Sequence, residues 1–148
     1  MTDLTRHPRT QPPGGQGTVD TRLKIAALWT ATLFIFAYVD VFSLYRADVR
    51  SDLDAGRLFA FDVNQTFLLL TTLYVLLPSL MIYLTLVAPR GLIRRLNLAL
   101  AAVYAVTILG SAVGEWGYFV LGSAVEAALL GAVVYHAWTW PTAGQAPA

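Results

Sequence analysis

The chain of 148 residues is 57% hydrophobic and only 13% charged, and its mean hydropathy is +0.60. Since about a quarter of the residues of a soluble domain are usually charged, this composition excludes an ordinary soluble domain. A formal net charge of +1, without a run of basic residues, argues against a nucleic-acid partner. The absence of cysteine excludes disulfides, thiolate nucleophiles and cysteine-ligated metal centres.

The chain begins with a polar stretch, rich in proline and glycine, over residues 1–21. Such a stretch has too little apolar surface to offset the entropy of ordering, so we predict a disordered cytoplasmic tail. A membrane domain is predicted for residues 22–141, followed by a flexible C-terminal tail at residues 142–148. The first apolar segment is longer than a signal-peptide core, and we expect it to remain in the mature protein as an anchor.

Four apolar segments are long enough to cross a bilayer, because a helix needs about 20 apolar residues to span about 30 Å of hydrocarbon. They lie at about residues 25–45, 66–87, 96–113 and 118–140. The polar connection after the first contains a candidate interfacial helix at residues 48–57, with Arg50 and Asp54 at i, i+4 spacing. The connection between the last two is so short that they must form a tight antiparallel hairpin. The sequence therefore predicts an all-α fold, a four-helix transmembrane bundle.

The basic residues predict the orientation, because cytoplasmic connections of membrane proteins carry an excess of lysine and arginine. Seven of the ten basic residues precede the first span or lie between the second and third: Arg6, Arg9, Arg22, Lys24, Arg90, Arg94 and Arg95. We therefore expect both termini in the cytoplasm, as in a multi-pass protein of a bacterial inner (plasma) membrane.

Small residues four positions apart allow helices to approach closely in lipid. The last span carries two such rows, formed by Ser123, Ala127 and Gly131 and by Ala124, Ala128 and Ala132. These rows indicate packing within the bundle, with a homodimer face as the alternative.

The second span contains Pro78, which removes the backbone hydrogen bond to the carbonyl of Tyr74 and predicts a bend. Ser79 is expected to help satisfy the freed groups. Aromatic residues near the span ends predict anchors at the headgroup level: Trp29, Trp116, Tyr118, Trp138 and Trp140.

Two acids, Asp40 and Glu126, lie inside predicted spans, where an acid costs about 2.5 to 3.5 kcal/mol and marks a candidate functional site. Asp40 is predicted about 6 to 8 Å, and Glu126 about 12 Å, below the outer ends of their helices. Both acids are therefore placed in the outer half of the bilayer. The candidate residues of an outward-facing ligand-binding pocket are Asp40, Glu126, Gln65, Tyr38, Tyr45, Tyr104, Glu115 and Asn64.

No lysine or arginine lies in the apolar core of any span. Burial without a cation favours the neutral form of a carboxyl group, so a proton or a bound cation is expected to supply the missing charge. The candidate neutral hydrogen-bond partners are Tyr38, Tyr45, Tyr104, Thr30, Thr32 and Ser43. The alternative is that Glu126 is a hydrogen-bonded structural residue and that Asp40 reaches water or Arg46.

Metal and cofactor chemistry is not predicted. His136 lies ten residues from Glu126, about 15 Å along a helix, and the Glu-x-x-His signature of carboxylate metal bundles does not occur. Phosphate loops, nucleophile elbows and zinc-protease motifs do not occur either.

Three segments resemble an uncharacterised bacterial family of short four-span membrane proteins: YVDVFSLY at residues 38–45, LPSLMIYLTL at 77–86, and the ending from Glu126 through YHAWTWP at 135–141. The resemblance covers about residues 23–141 and implies a four-helix membrane architecture. Its pattern matches Asp40, Gln65, Pro78, Ser79, Glu126, Trp138, Trp140 and Pro141. Val39 departs from the glycine that often precedes this aspartate. The resemblance implies no activity, and a looser similarity to DoxX-like proteins concerns architecture alone.

Four functions are compatible with these observations. The leading interpretation is a non-enzymatic module in the lipid bilayer that binds a small hydrophobic or cationic ligand at the two acids. The second is a membrane enzyme that uses paired carboxyl groups on a lipid or isoprenoid. The others are a proton-coupled transporter, as a homo-oligomer, and an accessory subunit of a larger membrane complex.

Overall fold

The computed structural model describes residues 19–58 and 60–140, which form five helices and one short β-hairpin. The elements in chain order are α1 (Thr21–Ser43), α2 (Ala47–Asp54), β1 (Arg57–Leu58), β2 (Phe61–Asp62), α3 (Gln65–Val87), α4 (Arg90–Ser111) and α5 (Gly117–Trp138). Most of the predicted N-terminal tail, with Arg6 and Arg9, lies outside the described residues, as do Pro141 and the C-terminal tail.

Four helices, α1, α3, α4 and α5, are 22 or 23 residues long and apolar enough to cross a membrane, which confirms the predicted number of spans. At 1.5 Å per residue, each is about 33 to 35 Å long, close to the thickness of the hydrocarbon core. Helix α4 begins at Arg90, six residues before the apolar segment from which the third span was predicted. The prediction was based on apolar side chains, whereas the helix is defined by backbone hydrogen bonds, which continue through the arginines. The apolar stems of arginine let the charged heads reach the interface from within the helix.

The spanning helices run alternately up and down. Helix α1 packs against both α3 and α5, and α5 packs against α4, whereas α3 and α4 contact each other less. We call the end of the bundle that contains Thr21, Trp138 and the α3–α4 connection the terminal end. The opposite end, with α2, the hairpin and the α4–α5 connection, is the loop end. Helix α1 therefore lies between α3 and α5.

At the terminal end, arginine side chains cap the C-terminal ends of two helices. Nη1 of Arg22, in the first turn of α1, donates hydrogen bonds to three carbonyl groups at the C-terminal end of α3, each at 2.9 Å. Arg94 in α4 likewise donates to two carbonyl groups at the end of α5, each at 3.0 Å. Carbonyl groups in the last turn lack intrahelical donors and carry a partial negative charge, so a guanidinium stabilises them. Trp140 is buried here, with the guanidinium groups of Arg22 and Arg90 over its ring.

A buried polar cluster joins three helices in the terminal half of the bundle. Nε1 of Trp29 donates to Oδ1 of Asn97 at 2.7 Å, and Nδ2 of Asn97 donates to Oγ1 of Thr85 at 3.2 Å. All three side chains are fully buried. The prediction that Trp29 is a headgroup anchor is therefore wrong, because its indole N–H has an amide partner inside the bundle. Trp140, at 5% exposure, also departs from that prediction.

The short helix predicted after the first span is present as α2, over Ala47–Asp54. Its predicted C-terminal part is instead a turn with Gly56 at φ +74°, followed by β1, which pairs with β2 through Arg57 and Asp62. The left-handed backbone at Gly56 turns the chain away from the helix. Glycine suits this position because a residue with a Cβ would be strained there. In this segment, Arg57 forms an ion pair with Asp52 at 3.9 Å.

Candidate functional site

Two contacts near the loop end fix how α1 and α5 lie against each other. The hydroxyl groups of Ser43 and Tyr118 share a hydrogen bond of 2.8 Å. One turn along each helix, the side chain of Val39 packs directly on Gly122, where an added methyl group would overlap Cγ2 of Val39. Since the contacts are four residues apart on both helices, α1 and α5 are antiparallel with a constant register. Glycine at position 122 therefore allows the close approach.

This register places Glu126, one turn beyond Gly122, level with Ile35 of α1. Glu126 belongs to the buried face of α5 and is only 3% exposed. Its Oε1 atom is buried and has no hydrogen-bond partner within residues 19–58 and 60–140. An unpaired buried polar group costs about 1 to 3 kcal/mol, so this oxygen is an exception that calls for a physical explanation.

The tyrosine hydroxyl groups nearest in level to Glu126 are committed to other partners. The Tyr104 hydroxyl donates to the carbonyl oxygen of Tyr74, the group that Pro78 leaves without its helical donor. The Tyr74 hydroxyl pairs with Oγ1 of Thr107 at 2.7 Å, and that threonine donates to the carbonyl of Tyr104 at 3.0 Å. The expected role of Ser79 at the freed carbonyl is wrong, because Ser79 donates to the neighbouring Val75 carbonyl.

The other predicted hydroxyl partners do not hydrogen-bond to Glu126 either. Thr30 and Thr32 donate to carbonyl groups of their own helix at 2.9 Å, and Ser43 donates to that of Val39 at 3.1 Å. Tyr38 and Tyr45 are exposed. A hydroxyl group that donates its proton to a carbonyl one turn earlier in its own helix has no proton left to donate to a buried acid.

Asp40 lies on the row of α1 that also carries Trp29 and Phe36, spaced i, i+7, i+11, and this row faces the bundle interior because Trp29 is fully buried. Asp40 itself is exposed. The level of Glu126 is five residues away along α1, or about 7.5 Å at 1.5 Å per residue.

The Cα–Cβ bonds of the two acids each tilt toward the level of the other acid. In a helix, every Cα–Cβ bond tilts toward the N-terminus. On α1 this direction leads from Asp40 toward the level of Glu126, and on the antiparallel α5 it leads from Glu126 toward the level of Asp40. The axial distance between the two Cβ atoms is therefore shorter than the distance of about 7.5 Å between the two backbone levels.

The side of the bundle next to Asp40 is open. Phe36 contacts Tyr74 of α3 with ring centroids 6.0 Å apart, so Asp40, one turn further, is level with Leu70. All six residues from 68 to 73 of α3 are exposed. Six residues exceed one full turn, so α3 has no buried face there, whereas its buried residues lie from Pro78 onward. We call this gap between Asp40 and residues 68–73 of α3 the open side.

The stacked tyrosines Tyr74 and Tyr104 close the bundle toward the terminal end. Their ring centroids are 4.5 Å apart with an interplanar angle of 29°. Trp29 packs edge-on against Tyr104 at 6.0 Å. A small apolar cavity of about 10 Å³ lies against both rings and is also lined by Trp29, Phe36 and Pro78. The aromatic rings therefore separate the level of Asp40 from the polar cluster in the terminal half of the bundle.

A cleft of about 270 Å³ lies beside Asp40, between the end of α1, α2 and β1. Asp40 and Ser43 are its polar residues, and the other lining residues are Val41, Leu44, Val49, Leu53 and Leu58. The apolar walls come mainly from α1 and from the side of α2 that carries the buried Val49. The cleft thus combines one carboxyl group with apolar surface.

Glu115, a predicted pocket residue, lies at the loop end in an ion-pair cluster around Arg46. The guanidinium of Arg46, 10% exposed, contacts Glu115 at 2.5 Å and Asp48 at 2.6 Å, and lies 4.6 Å from the centroid of the Trp116 ring. The hydrogen bond from Arg46 lowers the pKa of Asp48, and the bonds to Asp48 and Glu115 raise the pKa of Arg46. Arg46 therefore joins the α1–α2 turn to the α4–α5 connection, away from Asp40.

Asn64 and Gln65, the other predicted pocket residues, lie at the start of α3. The side chain of Asn64 caps this helix by accepting a hydrogen bond of 3.0 Å from the backbone N–H of Phe67. Gln65 is exposed at the first position of the helix. Both line a shallow groove on the outer side of α3. Asp40 and Glu126 thus lie on facing helices with their backbone levels about 7.5 Å apart, whereas Asn64, Gln65 and Glu115 lie toward the loop end.

Sequence reasoning missed several residues that shape this site. The sequence singled out the Tyr74 carbonyl, which lies four residues before Pro78, but it did not predict that the Tyr74 ring stacks on Tyr104. Val39 and Gly122 form the close contact beside the acids, and only the departure from the family glycine at position 39 drew attention to it. No sequence signal identified Asn97.

The arrangement can hold one positive charge. Two carboxyl groups lie on facing helices, and the chain has no lysine, arginine or histidine in residues 25–43, 65–87, 96–111 or 117–135. Within residues 19–58 and 60–140, no group of three or more His, Asp or Glu side chains is placed to hold a metal ion. A proton or an organic cation is the partner that two acids of this kind favour.

Length, apolarity and the antiparallel packing of α1, α3, α4 and α5 define the class as a multi-pass membrane protein built on a four-helix bundle. Residues 18–146 match the model of a family of unknown function, DUF6326, and the chain belongs to this family. Neither a curated protein nor a solved structure matches the chain.

Proposed function

We propose that the protein is a non-enzymatic membrane module that binds a small cationic or hydrogen-bonding molecule between Asp40 and Glu126. The observation that carries the proposal is the buried Oε1 of Glu126, which has no partner among the described residues. The neighbouring hydroxyl groups already have partners. A ligand that donates a hydrogen bond or brings a positive charge removes this unfavourable state.

The surroundings of the acids favour a ligand that has an apolar part. The cleft beside Asp40 has a volume of about 270 Å³ and mostly aliphatic walls. Small-molecule sites are typically apolar cavities of about 300 to 1,000 Å³ with a few polar groups. The open side also faces the apolar residues of α3. An amphiphile with a short hydrocarbon chain and a cationic head fits this combination.

We further propose that the site opens toward the outer face of a bacterial inner membrane, with both termini in the cytoplasm. Arg22, Arg90 and Arg94 lie at the terminal end, and basic residues favour the cytoplasmic side. Because the natural chain has no cysteine, single cysteines can be introduced without background. Ala60→Cys at the loop end should react with an impermeant maleimide in intact cells, and Gly91→Cys at the terminal end only after lysis. The reverse pattern contradicts the orientation.

The binding proposal is tested by thermal shift of the purified protein in mild detergent. The probes are octylamine, octyltrimethylammonium, decylubiquinone and phosphatidylglycerol, applied to the natural chain, Asp40→Asn, Glu126→Gln and the double variant. Asp54→Asn is the matched control, because Asp54 is an exposed acid outside the spanning helices. We expect stabilisation by a cationic probe that both site variants reduce and the control keeps.

Two results would overturn the proposal. One is that no probe stabilises the natural chain. The other is that the double variant folds and responds to every probe as the natural chain does, since the acids then have no part in binding.

A membrane enzyme is a second candidate, because the two acids have different surroundings. Glu126 is buried and Asp40 exposed, and a pair of carboxyl groups in unlike environments suits a general acid and a general base. The test is incubation of the purified protein with isoprenoid and phospholipid extracts, followed by mass spectrometry. Turnover that Glu126→Gln abolishes supports an enzyme, and no product with either lipid class argues for binding alone.

A further inference from the structure

We infer that a monovalent amphiphilic cation binds at this site in exchange for one proton, which leaves from the carboxyl group of Glu126. The inference rests on the proposed function and specifies its ligand class and its coupling. It predicts that binding and proton release occur together, in a ratio of about one to one.

The first step concerns the site without a ligand. A bare carboxylate in a low-dielectric interior costs several kcal/mol unless a cation or hydrogen bonds compensate it. Among the described residues, the titratable groups near the level of Glu126 are Asp40 on α1 and Tyr74 on α3, with Tyr104 of α4 stacked on Tyr74. None of these groups supplies a positive charge. The nearest basic residue on α5 is His136, ten residues away, or about 15 Å. Glu126 therefore keeps its own proton.

The second step concerns Asp40. This acid is exposed at the open side, whereas Glu126 is buried, so Asp40 is the acid that ionises more readily. A negative charge at the mouth of an otherwise apolar site attracts cations and repels anions. Asp40 is thus the group that meets the cation first, and Glu126 is the group that completes the site.

The exchange conserves charge and atoms. Before binding, ionised Asp40 and neutral Glu126 give the site a charge of −1. The arriving cation adds one positive charge, the O–H bond of the Glu126 carboxyl breaks, and the proton passes to water past Asp40. Afterwards two carboxylates and one cation again have a net charge of −1. A cation close to both carboxyl groups favours the ionised form of Glu126, so binding weakens the hold of Glu126 on its proton.

The direct test measures the number of protons that the purified full-length protein releases in detergent when the probe binds. The probe is octyltrimethylammonium, whose charge is permanent, so every released proton comes from the protein. A weakly buffered solution with a pH indicator reports release, and isothermal titration calorimetry reports binding. We expect about one proton per bound cation, and an affinity that rises up to about tenfold per pH unit while Glu126 is protonated.

The variants separate the two acids. Glu126→Gln should abolish proton release at any occupancy that remains, whereas Asp40→Asn should weaken binding but keep one proton per bound cation. Asp54→Asn is again the matched control and should behave as the natural chain. Release that persists in Glu126→Gln, or that disappears in Asp40→Asn at saturation, overturns the assignment.

A chemical test locates the proton by covalent modification of the carboxyl group. Dicyclohexylcarbodiimide enters apolar sites and adds to protonated carboxyl groups, so that the acid O–H adds across a C=N bond and the adduct rearranges to an N-acylurea. Mass spectrometry should locate this adduct on Glu126. Octyltrimethylammonium should protect Glu126, because binding removes the reactive proton. A folded protein without label on Glu126 contradicts the inference.

The outcomes distinguish this inference from the proposed function. If octyltrimethylammonium binds in an acid-dependent manner but releases no proton and shows no pH dependence, the coupling is wrong and the binding function stands. If none of the four probes binds, the proposed function fails, and the coupling fails with it.

Discussion

The contact between Val39 and Gly122 can be tested by mutation. It sets the register that places Glu126 level with Ile35 of α1. Gly122→Ala adds one methyl group that overlaps Cγ2 of Val39. Both helices contribute to the bundle core on either side of this point, so neither can move away freely. We expect the substitution to destabilise the bundle.

The magnitude follows from two opposing effects. Forcing an extra methyl group into a packed site costs about 1 to 3 kcal/mol. Replacing glycine by alanine within a helix stabilises the helix by about 1 kcal/mol. Gly122→Ala should therefore lower the free energy of unfolding by up to about 2 kcal/mol. Gly131→Ala is the matched control on the same helix, because no atom lies within 4 Å of its added methyl group, and it should be neutral or stabilising.

The assay is equilibrium unfolding in mixed detergent micelles with increasing dodecyl sulfate, followed by far-ultraviolet circular dichroism. Val39→Ala should rescue Gly122→Ala, because the new methyl group occupies the space that Cγ2 leaves. The double variant is then more stable than the sum of the single effects by about 0.5 to 3 kcal/mol, a typical coupling for residues in contact. Equal stabilities of Gly122→Ala and Gly131→Ala, or strictly additive effects, would refute the reasoning.

Three further predictions concern the hydrogen bonds and ion pairs. Asn97→Leu leaves the Trp29 N–H without its acceptor and should lower the free energy of unfolding by about 1 to 3 kcal/mol in the same titration, whereas an unchanged value would contradict the role of the amide. Tyr104→Phe removes the donor to the freed carbonyl and should destabilise by about 1 to 2 kcal/mol, and Pro78→Ala should restore part of this loss by returning a backbone N–H. Because Arg46 lowers the pKa of Asp48, their pair stabilises the loop end above the unfolded pKa of Asp48 and weakens as pH falls through the folded one. Thermal stability below about pH 4 should accordingly fall less in Asp48→Asn than in the natural chain, and parallel curves would count against the pair.

The number of spans could be read from the sequence because apolarity and length are properties of each segment by itself. The short helix after the first span was predicted from a different local property, the i, i+4 spacing of Arg50 and Asp54. The start of α4 could not be read in this way, since its first turn carries Arg90, Arg94 and Arg95. Those side chains interrupt apolarity without interrupting the backbone hydrogen bonds of the helix.

The two acids were also evident in the sequence, because an ionisable residue inside an apolar span needs no alignment or structure to be noticed. Their partners were not. Arg46, expected near Asp40 in one interpretation, pairs with Asp48 and Glu115 instead. The pairing depends on where the α4–α5 connection lies relative to α1, which the order of residues does not state.

The sequence by itself determined that this is a four-span membrane protein with two acids inside the spans. Only the tertiary structure decided which polar groups are satisfied: Trp29 by Asn97, the Tyr74 carbonyl by Tyr104, and Oε1 of Glu126 by no described residue. The physical reason is that each of these outcomes depends on which residue of a neighbouring helix lies at the same level. That register is set by close contacts such as Val39 on Gly122, which form between segments far apart in the chain.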